Sequence, residues 1–307
     1  MTSAPIVVFD RRALRAHRAR AHGDDFLFAE IAERLVERLD EVRRSFGTAL
    51  VVGARRGLLA AALRGSGKIQ HLVDMDPSEA LVRAAGPMRL VGEPDLLPIA
   101  PASLDAVIAL PSLHWTDDLP GALLQLRRAL KPDGLFLAAL FAGETLKELR
   151  SALIEAELAE EGGASPRVSP FADPRDLGML LQRAGFALPL VDTDTLVLTY
   201  RDALQLMREL RALGETNAVA ERRRSFTRRA TLARAAALYA ERFADADGRI
   251  PATFQVAYLT AWAPAPSQPK PLRPGSAAQR LSDALGAEER DGSGATRRDL
   301  PSPDDPG

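Results

Sequence analysis

The chain has 307 residues, 46% of them hydrophobic and 26% charged, which is enough for one substantial core of the size used by large single-domain α/β proteins, plus appendages. Forty Lys and Arg stand against 41 Asp and Glu, a net charge of -1, so no global field draws the protein to nucleic acid or to an anionic membrane. There is no cysteine, which removes disulfides, thiolate metal sites and a cysteine nucleophile.

No apolar run approaches the roughly 18 residues of a membrane span, and the first residues lack the apolar core of a signal peptide. The expectation is a cytoplasmic protein with no integral membrane segment. A basic stretch over 11–21 contains Arg11, Arg12, Arg15, Arg18 and Arg20 and reads as a solvated helix face that could meet an acidic partner. The arginines 222–224, 228 and 229 form a second such surface.

Phe26, Ile31, Leu35, Leu39 and Val42 recur at helical spacing and predict an amphipathic helix over 26–46. Residues 1–47 are thus expected to form an N-terminal helical lid. The apolar run 49–52 then stops at Gly53 and leads into a helical stretch over 58–63, a buried strand, tight turn and helix. The alternation repeats, with strands at 69–73, 88–91, 104–110 and 135–141 and helices at 78–85, 119–130 and 173–184. Extended segments follow at 188–200 and 251–262, with Phe254, Val256, Tyr258 and Trp262 on one face of the second.

Strands separated by helices imply parallel pairing through right-handed crossovers, hence a doubly wound, Rossmann-like α/β sheet over 48–263. The Leu-, Ala-, Arg- and Glu-rich segment 201–248 is expected to be a helical insertion that either caps a site or buttresses the sheet. Residues 264–307, rich in Pro, Gly and Ser, are expected to form a mostly disordered tail.

In an open parallel sheet the ligand sits beyond the carboxyl ends of the strands, at the point where strand order reverses. Gly53-Ala54-Arg55-Arg56-Gly57 occupies the first such turn, and its glycines let the backbone turn sharply and approach a ligand. Asp74 ends the second strand some twenty residues later, where an acid can accept both ribose hydroxyls of an adenosine. Asp76-Pro77 reads as a helix cap and first-turn pair. Glu93 and Asp95 flank a turn after the third strand, and either can accept from an adenine amino group or face water. His114 and Trp115, past the fourth strand, can face a substrate or pack under the lid. His17, His22, His71 and His114 show no ligand spacing, so no metal site is expected.

The glycine turn, Val73-Asp74, the segment 93–98, Ser103-Leu104-Asp105 and Leu130-Lys131-Pro132-Asp133-Gly134 together resemble the class I S-adenosylmethionine-dependent methyltransferases of the "type 11" group. Further motifs resemble the mitochondrial complex I assembly factor 5 family and its bacterial relatives. They include Phe9-Asp10-Arg11, Leu113-His114-Trp115, Gly143-Glu144-Thr145-Leu146, Ser169-Pro170-Phe171, Gly214-Glu215-Thr216-Asn217, Pro251-Ala252-Thr253-Phe254-Gln255 and Gly275-Ser276-Ala277.

The resemblance implies a seven-stranded sheet with its last strand antiparallel and S-adenosylmethionine in the cleft. It implies cofactor contacts from Gly53, Ala54, Arg55, Gly57, Asp74, Met75, Glu93, Asp95 and Leu110. His114 and Trp115 would face a protein substrate, a complex I subunit by analogy, and no catalytic base is assigned. The same resemblance leaves arginine hydroxylation or a non-catalytic assembly role open on this fold. Malonyl carrier-protein O-methylation, the reaction of more distant relatives, is a third alternative.

Two positions depart from the methyltransferase pattern. Val51 stands where an acid is usual and Arg55 where the middle glycine is usual. Loss of one charge-assisted contact weakens cofactor binding by about 1.5–3 kcal/mol, roughly ten- to a hundredfold. Arg55 either compensates by pairing with the cofactor's carboxylate or fills the pocket.

Overall fold

Residues alternating between two apolar environments define the sheet. Along β1 (Phe46–Val52), Ala49 and Val51 enter one core while Leu50 and Val52 enter the other, the period of two that a strand buried on both faces requires. The same split holds in β4 (Leu104–Ala109) and in β5 (Leu130–Phe141), where Leu135, Leu137 and Ala139 face one core and Phe136, Ala138 and Leu140 the other. These assignments come from a computed structural model, which describes residues 7–23 and 25–268. The tail expected over 264–307 and the motif at Gly275 lie, from residue 269 onward, outside the described residues. The chain divides into units Met1–Pro266 and Ser267–Gly307, and the first carries everything that follows.

With β2 (Ile69–Asp76), β3 (Arg89–Val91), β6 (Ala187–Tyr200) and β7 (Ile250–Trp262), the sheet has seven strands in the order β3-β2-β1-β4-β5-β7-β6. β1 to β5 pair in parallel, and β7 runs antiparallel between β5 and β6. This is the seven-stranded, mostly parallel methyltransferase sheet that the resemblance implies. Strand order reverses between β1 and β4, which pair from Ala49↔Ala106 to Val52↔Ala109, so the ligand crevice opens above Val52 and Ala109.

One face is covered by α2 (Phe26–Glu41), α3 (Leu58–Ser66), α6 (Lys147–Glu161), α8 (Ala203–Ala212) and α9 (Arg229–Phe243). The other is covered by α5 (Leu119–Ala129) and α7 (Pro174–Arg183). The short α4 (Glu79–Arg83) links β2 to β3, and α1 (Arg11–Ala19) lies across the crevice.

Three differences from the sequence reading have physical causes. The helix predicted over 26–46 stops at Glu41, where Lys68 Nζ donates to the carbonyls of Leu39, Asp40 and Val42 at 2.9, 2.6 and 2.6 Å. A lysine from a distant loop thus satisfies the end that the periodicity could not locate. Second, α6 carries no strong punctuation at its start, because Leu146 enters it in a left-handed conformation without a side-chain cap, and the sequence reading passed it over. Its Leu149, Ala152, Leu153 and Ala156 nevertheless sit at helical spacing and are buried. Third, the insertion both buttresses and lines: Leu206 and Tyr239 are buried in the core, while Met207, Leu210 and Leu213 border a large cavity.

Candidate active site

The glycine turn is bent as the sequence demands. Gly53 has φ 81 and Gly57 φ 83, and a Cβ on Gly53 would lie 3.1 Å from Ser112 Oγ. Gly53→Ala combines left-handed strain with that contact and is expected to lower unfolding free energy by about 1–2 kcal/mol in urea titration. Arg55 and Arg56 are also left-handed, at φ 37 and 56, a conformation disfavoured for arginine.

Arg55 turns away from the cleft into a buried ion network. Its Nη2 donates to Leu213 O at 2.8 Å and to Glu215 Oε1 at 3.2 Å, and Nη1 approaches Asp25 Oδ1 at 3.4 Å. Its plane lies over the Phe28 ring, 3.1 Å from the centroid. Burial pulls the guanidinium down to about 10 against the opposing pull of Glu215, so it stays charged at neutral pH. Of the two roles left open for Arg55, the geometry supports neither directly: its side chain neither reaches into the cleft nor borders it.

Glu215 gathers the other polar groups. Trp115 Nε1 donates to Oε2 at 2.8 Å, and His114 Nε2 lies 3.3 Å from the same oxygen. Burial works against the carboxylate, but the bond from His114 and the charges of Arg55 and Arg18 hold it at about 2. Burial pushes His114 down, so the neutral ring donates from Nε2 and leaves Nδ1 as an acceptor with no hydrogen-bond partner. His114 packs among Phe141 and Phe171, at 5.0 and 5.8 Å between ring centroids, and both phenylalanines line the large cavity. The sequence reading singled out His114 and Trp115 but quoted Glu215 only within a motif. An acid directly after Gly214, which is itself left-handed, was the available signal.

Two cavities meet at Trp115. The crevice above the switch point is lined by Arg11, Leu14 and Arg18 of α1 together with Val52, Met75, Glu93, Asp95, Ser112 and Trp115. The second cavity, of about 540 Å³, lies under the insertion. Its walls include Leu149, Phe171, Met207, Leu210 and Phe254, and its rim carries Arg167, Arg211, Arg222, Arg223 and Arg224. That volume falls within the roughly 300–1,000 Å³ of ligand pockets.

The predicted cofactor residues separate. Met75, Glu93 and Asp95 line the crevice, whereas Gly53, Ala54, Arg55, Gly57, Asp74 and Leu110 form the structure behind it. Asp74 is wholly buried: Oδ2 accepts from Gly86 N at 3.1 Å, Oδ1 has no partner, and burial raises its pKa. A ribose contact from Asp74 therefore requires the wall to open. Asp76, read as a cap, does accept from Ser78 N at 2.9 Å, but its other oxygen meets Arg18 at 3.3 Å.

Of the arginines read as a solvated basic face, Arg12 and Arg20 are exposed, but Arg11, Arg15 and Arg18 turn to acids. Arg11 pairs with Glu93 and Asp95 and approaches Asp117 at 3.5 Å, Arg15 bonds Glu93, and Arg18 meets Asp76. Asp10 caps α1 at Ala13 N and binds Arg222 at 3.0 Å, and Phe9 packs edge-on against Trp115, so the helix is tied to the insertion as well.

Residues 50–138 match a family model described as a methyltransferase domain. Over 264 residues the chain is 40% identical to "Arginine-hydroxylase NDUFAF5, mitochondrial" of Danio rerio, covering 84% of this chain and 82% of that protein. The chain belongs to the NDUFAF5 family. It also matches the human protein of that name, 38% identical over 82% of this chain and 74% of the relative. A malonyl-[acyl-carrier protein] O-methyltransferase of Xylella fastidiosa is 36% identical over 81% of this chain and 86% of its own length. Among solved structures, the YcgJ protein of Bacillus subtilis superposes with a TM-score of 0.54 at 15% identity, covering 77% of this chain and 99% of that one, a likeness of fold.

S-adenosylmethionine is the cofactor that goes with the family's methyltransferase domain. The donor set of the crevice suits it. Met75 offers an apolar contact for a base, Glu93 and Asp95 offer acceptors, and Arg18 keeps N–H groups unpartnered. The free space is about 30 Å³, room for a water or two, because α1 side chains lie in the crevice. In this arrangement Glu93 and Asp95 are paired with Arg11 and Arg15 of α1.

Proposed function

We propose that the chain is a cytoplasmic S-adenosylmethionine-dependent methyltransferase-like enzyme acting on a protein substrate in the setting of respiratory complex I assembly. The observation that carries this reading is the single indole of Trp115, which borders both the cofactor crevice and the 540 Å³ cavity. The two cavities thus share a wall residue, and proximity of donor and acceptor is the main requirement of a transfer reaction. When bound, the cofactor supplies an electrophilic methyl group on a sulfonium.

The chain's own residues do the rest. Glu215 fixes the His114 ring and the Trp115 indole in one orientation: Trp115 borders both cavities, while His114 is buried behind their walls and lines neither. The family's arginine-hydroxylase members support the complex I setting. Among the residues lining the cavity Glu215 is the one acid, the group an arginine guest would meet.

A second reading, O-methylation of a carboxylate on a carrier-bound acyl group, draws support from the five arginines on the cavity rim. Mass spectrometry of complex I subunits incubated with the protein and cofactor tests the first reading. A gain of about 14 Da supports methyl transfer, and about 16 Da makes the chain a hydroxylase. Unchanged subunits together with a methyl ester on malonyl carrier protein select the second.

A further inference from the structure

Arg11, Arg15 and Arg18 recur at i, i+4 and i+7 on α1, so they share one helix face; Arg11 and Arg18 line the crevice, and Arg15 reaches its acid Glu93 from outside. The three are not equivalent. The side chains of Arg11 and Arg15 are 36% and 55% exposed and bound to acids, while that of Arg18 is 3% exposed. Its one ion-pair contact among the described residues is the 3.3 Å approach of Nη1 to Asp76 Oδ2. Nε and Nη2 are buried and have no hydrogen-bond partner.

Those two nitrogens form one edge of the guanidinium plane, with parallel N–H bonds spaced to match the two oxygens of a carboxylate. Buried donors in native proteins are almost always satisfied, so an unpartnered pair on a side chain that lines a crevice points to a ligand.

The position of Arg18 selects the ligand. Arg11 marks the acidic end of the crevice, at Glu93 and Asp95. Seven residues of helix place Arg18 about 10 Å farther along the crevice wall, where it meets Asp76. One end therefore offers the acceptors Glu93 and Asp95, while at the other Asp76 takes only Nη1 of Arg18 and leaves the Nε and Nη2 edge free; this is the polarity of a nucleoside joined to an amino acid, with an amino-bearing base at the acids and a carboxylate at the free edge.

We propose that the Nε and Nη2 edge of Arg18 receives the α-carboxylate of S-adenosylmethionine. This rests on the cofactor reading above. Arg55 is excluded from the role by its own partners, Glu215, Asp25 and the Leu213 carbonyl.

Titration calorimetry on the full chain with two probes tests the assignment. S-adenosylhomocysteine carries the carboxylate, and 5′-methylthioadenosine has the same nucleoside thioether without the amino-acid end. Arg18→Ala is expected to weaken S-adenosylhomocysteine about ten- to a hundredfold and to leave methylthioadenosine within about twofold. Arg18→Lys, a point charge without the fork, should recover only part of the loss. Retained methylthioadenosine binding reports an intact crevice in either variant, and the lysine variant serves if the alanine variant does not fold. Equal losses for both probes, or no loss for S-adenosylhomocysteine, overturn the assignment. Wild-type protein that binds methylthioadenosine but not S-adenosylhomocysteine overturns it while sparing a nucleoside site. Wild-type protein that binds neither overturns the cofactor reading and the assignment with it.

Discussion

Glu215→Ala is expected to lower stability by about 3–5 kcal/mol, because it leaves the Arg55 guanidinium buried without its principal counter-charge. For a folded unit of this size that corresponds to a fall of melting temperature on the order of 10 °C, measurable by scanning calorimetry. The alanine also strips Trp115 Nε1 and His114 Nε2 of their common acceptor. Glu215→Gln keeps an acceptor oxygen and should lose less.

The same group gives a pH dependence of known sign. Its folded pKa, about 2, lies below the ordinary value of 4.5, so its stabilisation is complete above about pH 4.5 and is lost as pH falls toward 2. The shift amounts to about 3 kcal/mol for the one carboxylate, and Glu215→Gln should flatten the acid limb of a stability profile by that amount. An unchanged profile would mean that the Arg55 network is not formed as described.

The second large effect concerns the gate. Joint replacement of Arg11 and Arg15 by alanine should tighten cofactor binding about tenfold, by removing the side chains that hold Glu93 and Asp95 in the closed arrangement. The pairs are partly exposed on the arginine side, at 36% and 55%, and each is worth roughly 0.5–1 kcal/mol. The closed population lowers apparent affinity in proportion to its share. Added salt screens the same pairs and should act in the same direction. Equilibrium dialysis with labelled S-adenosylmethionine measures both, and weaker binding in the double variant would show that these arginines assist the cofactor instead of excluding it. The contrast with Arg18 is built into one helix: two arginines whose loss opens the crevice and a third whose loss costs affinity.

Much of the fold was legible because it depends on local signals. The apolar runs at 49–52, 106–109 and 135–141 alternate between the two cores as strands buried on both faces must, and Gly53 and Gly57 mark the first turn by conformations that suit glycine. The site was legible only in part. Met75, Glu93 and Asp95 could be placed at the crevice by counting from strand ends, whereas the direction of Asp74 and Arg55 depends on partners far away in sequence. Asp74 turns to Gly86 N, and Arg55 reaches Glu215, 160 residues on. The arginines of α1 look like a solvated face because sequence shows their spacing and not the acids opposite. Glu93 and Asp95 pair with Arg11 and Arg15, and Asp76 meets Arg18, the one of the three that is buried.

Calorimetric titration of the intact protein with S-adenosylmethionine is the most direct measurement of the account. We expect saturable binding at one site per chain, with an affinity that rises when Arg11 and Arg15 are removed. Absence of binding at millimolar cofactor in both the wild type and that double variant would contradict it, leaving a methyltransferase sheet whose crevice is filled by its own first helix.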